Sequence, residues 1–259
     1  MPTTYSSYLN VDDLIALQSP RAPEEHDEML FIIIHQVYEL WFKQILHELD
    51  YAMRLLDTDD AVRAGHTLQR IRTIFKTLVS QVDILETMTP LEFLSFRDYL
   101  ESASGFQSYQ FREMEFALGH KLRRVLRHYP VGTAARQRLE ARYQQPTLWD
   151  SFLGHLHRAG YDIPEAVRER DVREPLPTNE DVQQALVMIY RQDPPLAQIC
   201  EQLVDLDEGI QEWRYRHVKM VERTIGMKQG TGGSSGAQYL RGTLFRPLFP
   251  DLWAIRSEL

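Results

Sequence analysis

Apolar residues recur along this chain at three- and four-residue spacing and almost nowhere in strict alternation, so the pattern predicts helices rather than strands. The first strong segment spans about residues 24–56 and is apolar on nearly every side around "LFIIIHQVYELWFKQIL". A helix of that kind belongs at the centre of a fold, covered by its neighbours. Residues from about 60 to 87 place Leu68, Ile71, Phe75, Leu78 and Val82 on one face, as an amphipathic helix does. "TPLEFLSFRDYL" opens with Thr89 and Pro90, an N-cap followed by proline at the first helical position. Another helix is expected from about Ser108 to His128. A long last one starts at Pro194 and Pro195 and runs to "ERTIG". Between about 130 and 192 the pattern is less regular, with the proline-containing connectors "RAGYDIP" and "VREPLPTNEDV" between short helices. The expected fold class is all-α: one helical domain over 1–259, a bundle of long core helices carrying a small helical insertion at about 130–192.

Composition narrows the function classes. A chain of 259 residues with 43% hydrophobic content can build one well-packed core. Its net charge of −8 argues against nucleic-acid binding, which needs basic patches to neutralise phosphates. Cys200 is the single cysteine, so no intrachain disulfide forms and a reducing compartment is expected. No basic region followed by an apolar core opens the chain, so no signal peptide is expected. The longest apolar run, "MLFIIIHQVYELWF", is too short and interrupted to span a bilayer. A soluble cytoplasmic protein without membrane partners is the expectation.

Several metal motifs are excluded. None of the nine histidines has a glutamate three positions before it, which a ferritin-like di-iron bundle requires. HExxH and CxxCH are absent, removing the zinc-protease helix and covalent c-type haem. His155 and His157, two positions apart, splay around a helix and read as surface residues. The loop "GMKQGTGGSSG" at 226–236 lacks the Lys-Ser/Thr ending of a phosphate loop and follows a helix. Its bland reading is a helix exit, where glycine takes left-handed angles cheaply. The sharper one uses its free backbone N–H groups and the hydroxyls of Thr231, Ser234 and Ser235 to close over an amino-acid-like group.

Three further residues stand out. His35 lies in "FIIIHQVYELWF" with Phe31 one turn before it; His217 lies on another apolar helix, one turn after Trp213. Taken singly, each histidine is more often a hydrogen-bonded core residue. Taken together, they suit opposite walls of a cavity, where a neutral imidazole is a good axial ligand for haem iron. Arg97 sits among Phe93, Phe96, Tyr99 and Leu100. It either pairs with Asp98 or Glu101 or grips a ligand carboxylate as a planar fork. An aromatic pocket with one guanidinium suits an aromatic amino acid.

The stretches "TYSSYLNVDDLIALQ", "HDEMLFIIIHQVYELWFKQIL", "MTPLEFLSFRDYLESASGFQSYQFREME", "EWRYRHVKMVERTIGMKQGTGGSSGAQYLR" and "LFPDLWAIR" resemble the tryptophan 2,3-dioxygenase family in the right order, over the first 115 or so residues and the last 50. That resemblance implies an all-helical homotetramer with non-covalent haem b, one per subunit, in a pocket between the long core helices. It implies the use of ferrous haem and O2 to open the pyrrole ring of L-tryptophan, giving N-formyl-L-kynurenine, the first step of tryptophan catabolism by the kynurenine route. By the match to "EWRYRH", His217 resembles the proximal iron ligand, with Trp213 beside the cofactor. "FIIIHQ" makes His35 the distal histidine near the indole N–H and Phe31 a residue packed on the indole. "FLSFR" makes Arg97 the partner of the substrate carboxylate, with Phe93 lining the pocket. Thr231 is implied at the amino-acid end, and Ser104 and Gly105 beside the haem. Tyr5 and Tyr8 match tyrosines that reach into a neighbouring subunit's site.

Readings from other classes remain open on sequence alone. A haem carrier needs only His217. A haem oxygenase for another indole has no use for Arg97 and Thr231, which serve a ligand with an amino-acid backbone. A cofactor-free helical interaction protein leaves the buried arginine and both histidines unexplained.

Overall fold

A computed structural model describes residues 2–175, 177–231 and 236–259. Among the described residues there are thirteen α-helices and no strand. They are α1 Tyr5–Leu9, α2 Val11–Ile15, α3 His26–Asp57, α4 Ala61–Leu85, α5 Pro90–Arg97, α6 Tyr109–Ala117, α7 Ala134–Tyr143, α8 Leu148–Arg158, α9 Glu165–Arg168, α10 Glu180–Gln192, α11 Pro194–Ile225, α12 Ala237–Arg241 and α13 Pro250–Ala254.

Three long helices form the frame: α4 packs against both α3 and α11. The connection from α3 to α4 is short because Asp59 adopts a left-handed φ of 62° and Asp60 caps α4, accepting from the Arg63 N–H. Leu68, Ile71, Phe75, Leu78 and Val82 are all buried along α4, as their spacing predicts. Asp193 caps α11 by accepting from the Leu196 N–H, with Pro194 at the first helical position. Gly226 ends that helix at a φ of 61°. Across 130–192, Trp149, Phe152 and Leu156 of α8 and Leu186 and Ile189 of α10 share one apolar cluster with α3, α4 and α11. Asp207 of α11, fully buried, accepts from the backbone N–H groups of Leu248 and Phe249 and from Trp253 Nε1, at 2.7, 3.3 and 2.9 Å. That carboxylate pins the "LFPDLW" segment to the frame. Cys200 is also fully buried, and burial pushes its thiol up to about 12, which keeps it protonated and unreactive.

Three expectations are corrected. The helix expected from Ser108 to His128 is two pieces. Ser108 caps α6, but Gly119 takes a φ of 108°, and a separate 3₁₀ turn spans Arg123–His128. His155 is not a surface residue: it is buried and its Nδ1 lies 2.9 Å from Asp59 Oδ1, whereas His157 is exposed. Finally, α3 is not covered on all sides. Its C-terminal half is enclosed by α4, α6 and α8, but its N-terminal half leaves Ile33 and Leu40 exposed at 42% and 49%. These two lie along a shallow groove with Leu14 and Ile15 of α2.

Candidate active site

One cavity of about 250 Å³ lies between α3, α5 and α11, roofed by the start of the glycine-rich loop. Phe31, His35, Phe93, Arg97, Ser104, Gly105, Trp213, His217 and Thr231 all line it. Helical spacing explains the convergence. Phe31 and His35 are one turn apart on α3, and their rings approach to 4.1 Å. Helix α5 is fixed at its start by a capping box, in which Thr89 and Glu92 satisfy each other's backbone N–H groups. That anchorage turns Phe93, Phe96 and Arg97 to the same side. Phe31, Phe93 and Phe96 form a triangle of rings 5.4 to 5.8 Å apart. On α11, Trp213 and His217 stack with centroids 5.1 Å apart and an interplanar angle of 8°.

Both histidines face apolar surroundings as neutral rings. The Phe31 carbonyl accepts from His35 Nδ1 at 2.7 Å, and since a carbonyl can only accept, the proton sits on Nδ1. His35 Nε2 is left with a free lone pair. Burial pulls the His35 pKa below its ordinary value, against the opposing pull of the Phe31 carbonyl and the Glu39 charge. Burial also lowers His217, to about 4, helped by the proximity of His35 and Arg112. Among the described residues no hydrogen bond reaches the His217 ring.

Arg97 has no carboxylate partner among the described residues. Its Nη2 donates to the Gln229 carbonyl at 2.7 Å, and its buried Nε has no partner. Arg72 and Arg142 also leave Nε unbonded, but each is ion-paired elsewhere in its fork, to Asp205 and to Asp50 and Glu113 respectively. Of the three, only Arg97 has a fork with no carboxylate among the described residues. The chain reverses after α5 through Glu101, at a φ of 50°, which brings Ala103 under the loop. There Thr231 Oγ1 donates to the Ala103 carbonyl at 2.5 Å. Glycine is required at 236, where φ is 59° and a Cβ would sit 2.6 Å from the Lys228 carbonyl oxygen. At Gly105, a Cβ would meet nothing within 4 Å, so that backbone faces open space.

Two predicted site residues lie elsewhere. Tyr5 and Tyr8 are on α1, exposed at 78% and 75%, and do not line this cavity. Ser234 and Ser235 of the loop lie outside the described residues. Sequence reasoning passed over Tyr38, Phe42 and Phe111, which wall the cavity around Trp213, and Arg112, Glu115 and Arg214, which close one end. A signal for Arg214 existed in its position three residues before His217. Arg112 carried none, because "FREME" reads as an ordinary charged helix face.

The sequence profile of the family described as tryptophan 2,3-dioxygenase matches residues 1–130 and 179–259. Tryptophan 2,3-dioxygenase of Herpetosiphon aurantiacus is 61% identical over 257 residues, covering 99% of this chain and 98% of that protein. The enzyme of that name from Anaeromyxobacter sp. strain K is 56% identical over 256 residues, covering 99% and 96%. That from Bacillus cereus is 42% identical over 259 residues, covering 99% and 92%. The unmatched gap falls within the stretch that sequence reasoning found least regular. With identity this high over nearly its whole length, the chain belongs to the tryptophan 2,3-dioxygenase family.

Proposed function

We propose that this chain is a haem-dependent dioxygenase that inserts both atoms of O2 across the indole C2–C3 bond of L-tryptophan, giving N-formyl-L-kynurenine. The observation that carries the reading is the pairing, in one apolar cavity, of a neutral unbonded imidazole, His217, with a carboxylate-free guanidinium, Arg97. No group of three or more metal-ligating side chains occurs among the described residues. An iron held by His217 alone among protein groups needs its other ligands from a macrocycle, and haem b, non-covalent and one per chain, fits that donor set. The aromatic walls around Trp213 and the open backbone at Gly105 suit a flat apolar disc.

Bound haem supplies the redox-active iron that activates O2. The chain does the rest. Arg97 exchanges its loop carbonyl for the substrate carboxylate, gripped as a fork. Thr231 holds the amino-acid end. Phe31 and Phe93 pack on the indole, and His35 Nε2, unprotonated, accepts from the indole N–H. Free indole N–H is a very weak acid, so His35 orients rather than deprotonates. Gly230 and Thr231, which roof the cavity, help exclude water from the reacting centre.

The same reading covers the assembly. The exposed Ile33, Leu40, Leu14 and Ile15 support a homo-oligomer, a homotetramer by the family resemblance, in which α1 carries Tyr5 and Tyr8 to a neighbouring subunit's site. Across the whole chain, the shared core of α8 and α10 supports one domain. A cytoplasmic location rests on the lone buried cysteine. No helix among the described residues is long and apolar enough to cross a membrane.

An absorbance spectrum of the purified, haem-supplied, reduced protein tests the function, followed by addition of L-tryptophan and air. The expected result is a haem band and growth of formylkynurenine absorbance in the near-ultraviolet. A haem band without product sinks the dioxygenase, and no haem band sinks the role of His217.

A further inference from the structure

The charge of this chain is unevenly placed. From Lys121 to Arg142 there are seven lysines and arginines against one acid, Glu140, in a chain whose net charge is −8. The rest of the molecule is correspondingly more acidic. Four of the seven cations serve the fold. Lys121 donates to the Tyr143 carbonyl at 3.2 Å, and Arg136, Arg138 and Arg142 pair with Glu140, Glu113 and Asp50 at 2.6, 2.5 and 2.7 Å. The other three, Arg123, Arg124 and Arg127, are exposed on the 3₁₀ turn Arg123–His128, and among the described residues none of them has an ion pair. At three residues per turn, Arg124 and Arg127 eclipse one another, so two like charges stand side by side. Val131, 88% exposed, follows them as an apolar contact.

The same turn is anchored to the cavity wall. Val125 and Leu126 bury its inner face. His128 meets Phe106 edge-on, with centroids 4.8 Å apart and an interplanar angle of 87°. Tyr129, the next residue, donates its hydroxyl to the Gln107 carbonyl at 3.3 Å. Phe106 lines the cavity, so the cationic turn is one aromatic ring away from the space assigned to the haem.

Size and setting select the partner. Three arginines within a stretch of five residues cover on the order of 10 Å. A nucleic acid or a bilayer presents an extended anionic surface, which would also meet the acidic remainder of the chain and be repelled by it. A small acidic protein need only touch the turn. Encounters between redox proteins are of this small, electrostatically steered kind. The cavity gives such a partner a task. O2 binds haem in the ferrous state, and an iron that has become ferric must regain one electron before it binds O2 again.

We propose that Arg123, Arg124 and Arg127 dock an acidic one-electron carrier protein, which returns the haem iron to the ferrous state across the Phe106 wall. The carrier is oxidised by one electron and the iron is reduced by one, with no bond made or broken. This inference rests on the haem reading above.

The test mixes the full, haem-loaded ferric chain, without oxygen, with a reduced flavodoxin, a small acidic one-electron flavoprotein, and follows the haem spectrum. The second-order rate for the parent is expected to fall about tenfold between about 0.1 and 1 M salt, as the screening length shrinks from about 10 to 3 Å. The triple variant Arg123→Gln, Arg124→Gln, Arg127→Gln is expected to be reduced about tenfold more slowly at low salt and at the parental rate at high salt. Photoreduced lumiflavin, small and uncharged, should reduce both proteins at one rate. Equal rates for the two proteins with flavodoxin at low salt overturn the proposal. Equal slowing of the variant with flavodoxin and lumiflavin also overturns it, marking the turn as scaffolding. A changed oligomeric state in the variant overturns it by assigning the patch to a second copy of this chain. Binding to phosphatidylserine vesicles that the variant loses overturns it in favour of a membrane. A parent chain that takes up no haem overturns the haem reading and this proposal with it, and the missing haem band tells that failure from the others.

Discussion

At the turn between α3 and α4, a buried histidine has found a carboxylate; in the cavity beside α11, His217 and Arg97 have found none among the described residues. His155 of α8 is buried but bonded to Asp59, which also accepts from Arg158 Nε at 2.9 Å. Arg158 Nη2 donates to the last turn of α3 at the Leu56 carbonyl, 2.7 Å away, and Arg170 forks onto Asp150 of the same α8 at 2.9 and 3.0 Å. The Asp59 and Leu56 contacts hold α8 on the end of α3, and the Arg170 fork ties it to the segment after α9. His217 and Arg97, both half-buried, have among the described residues no hydrogen bond to the imidazole and no carboxylate for the guanidinium. Leaving a buried polar group unmatched costs about 1–3 kcal/mol, more for a charge. That cost sets the α3–α4 turn, where the buried imidazole is matched, apart from the proposed haem and substrate groups of the cavity.

The sharpest way to break this contrast is to delete the two histidines. His217→Ala should lower haem retention by more than about a hundredfold, since even the hydrogen-bond partners of metal ligands are worth roughly 10–100-fold. An active, haem-replete His217→Ala protein would refute the assignment.

Acid should separate the regions next. The folded pKa of His217 is depressed to about 4, below the roughly 6.5 of an unfolded chain, so the unfolded state binds more protons between those values. This contribution is complete above about pH 6.5 and is lost as pH falls toward 4, up to about 3 kcal/mol for the haem-free protein. Urea unfolding of the haem-free parent and of His217→Leu, compared from pH 7 to pH 4.5, measures it. If the stability gap between the two proteins is constant across that range, His217 is not titrating as described.

Arg97→Lys replaces a planar fork with a point charge and should weaken tryptophan binding by about 2 kcal/mol, roughly thirtyfold, with haem retention unchanged. Parental affinity measured by calorimetry on the loaded protein would remove Arg97 from the substrate clamp. Smallest is His155→Ala, which should cost about 1–2 kcal/mol of folding stability and leave the haem spectrum alone. A loss of haem from that variant would erase the distinction between the two regions.

Much of the frame was legible in local pattern. The spans of α3, α4, α5 and α11 follow from apolar periodicity, from the Thr89 N-cap followed by Pro90 and from Pro194 at a helix start, because these signals lie within a few residues of what they control. The motif residues of the cavity were legible as well, through long stretches in which His35, Arg97 and His217 stand among apolar neighbours.

Tertiary structure decided the rest. Gly119 ends α6 early by its positive φ, a conformation that helical periodicity does not encode. Nothing near Ile33 and Leu40 announces that one half of α3 is covered and the other is not, since coverage depends on where α6 and α8 return. Which histidine becomes structural is set across 96 positions, by whether the chain returns an Asp59 to meet it. Arg112 and Arg214 are alike in sequence to many surface arginines and acquire meaning only when α6 and α11 bring them onto one glutamate in a shared cavity. Periodicity and caps are local properties of the chain, so sequence alone determined the helices. Partnership between buried polar groups is non-local, so only the assembled fold determined which of them are matched and which are not.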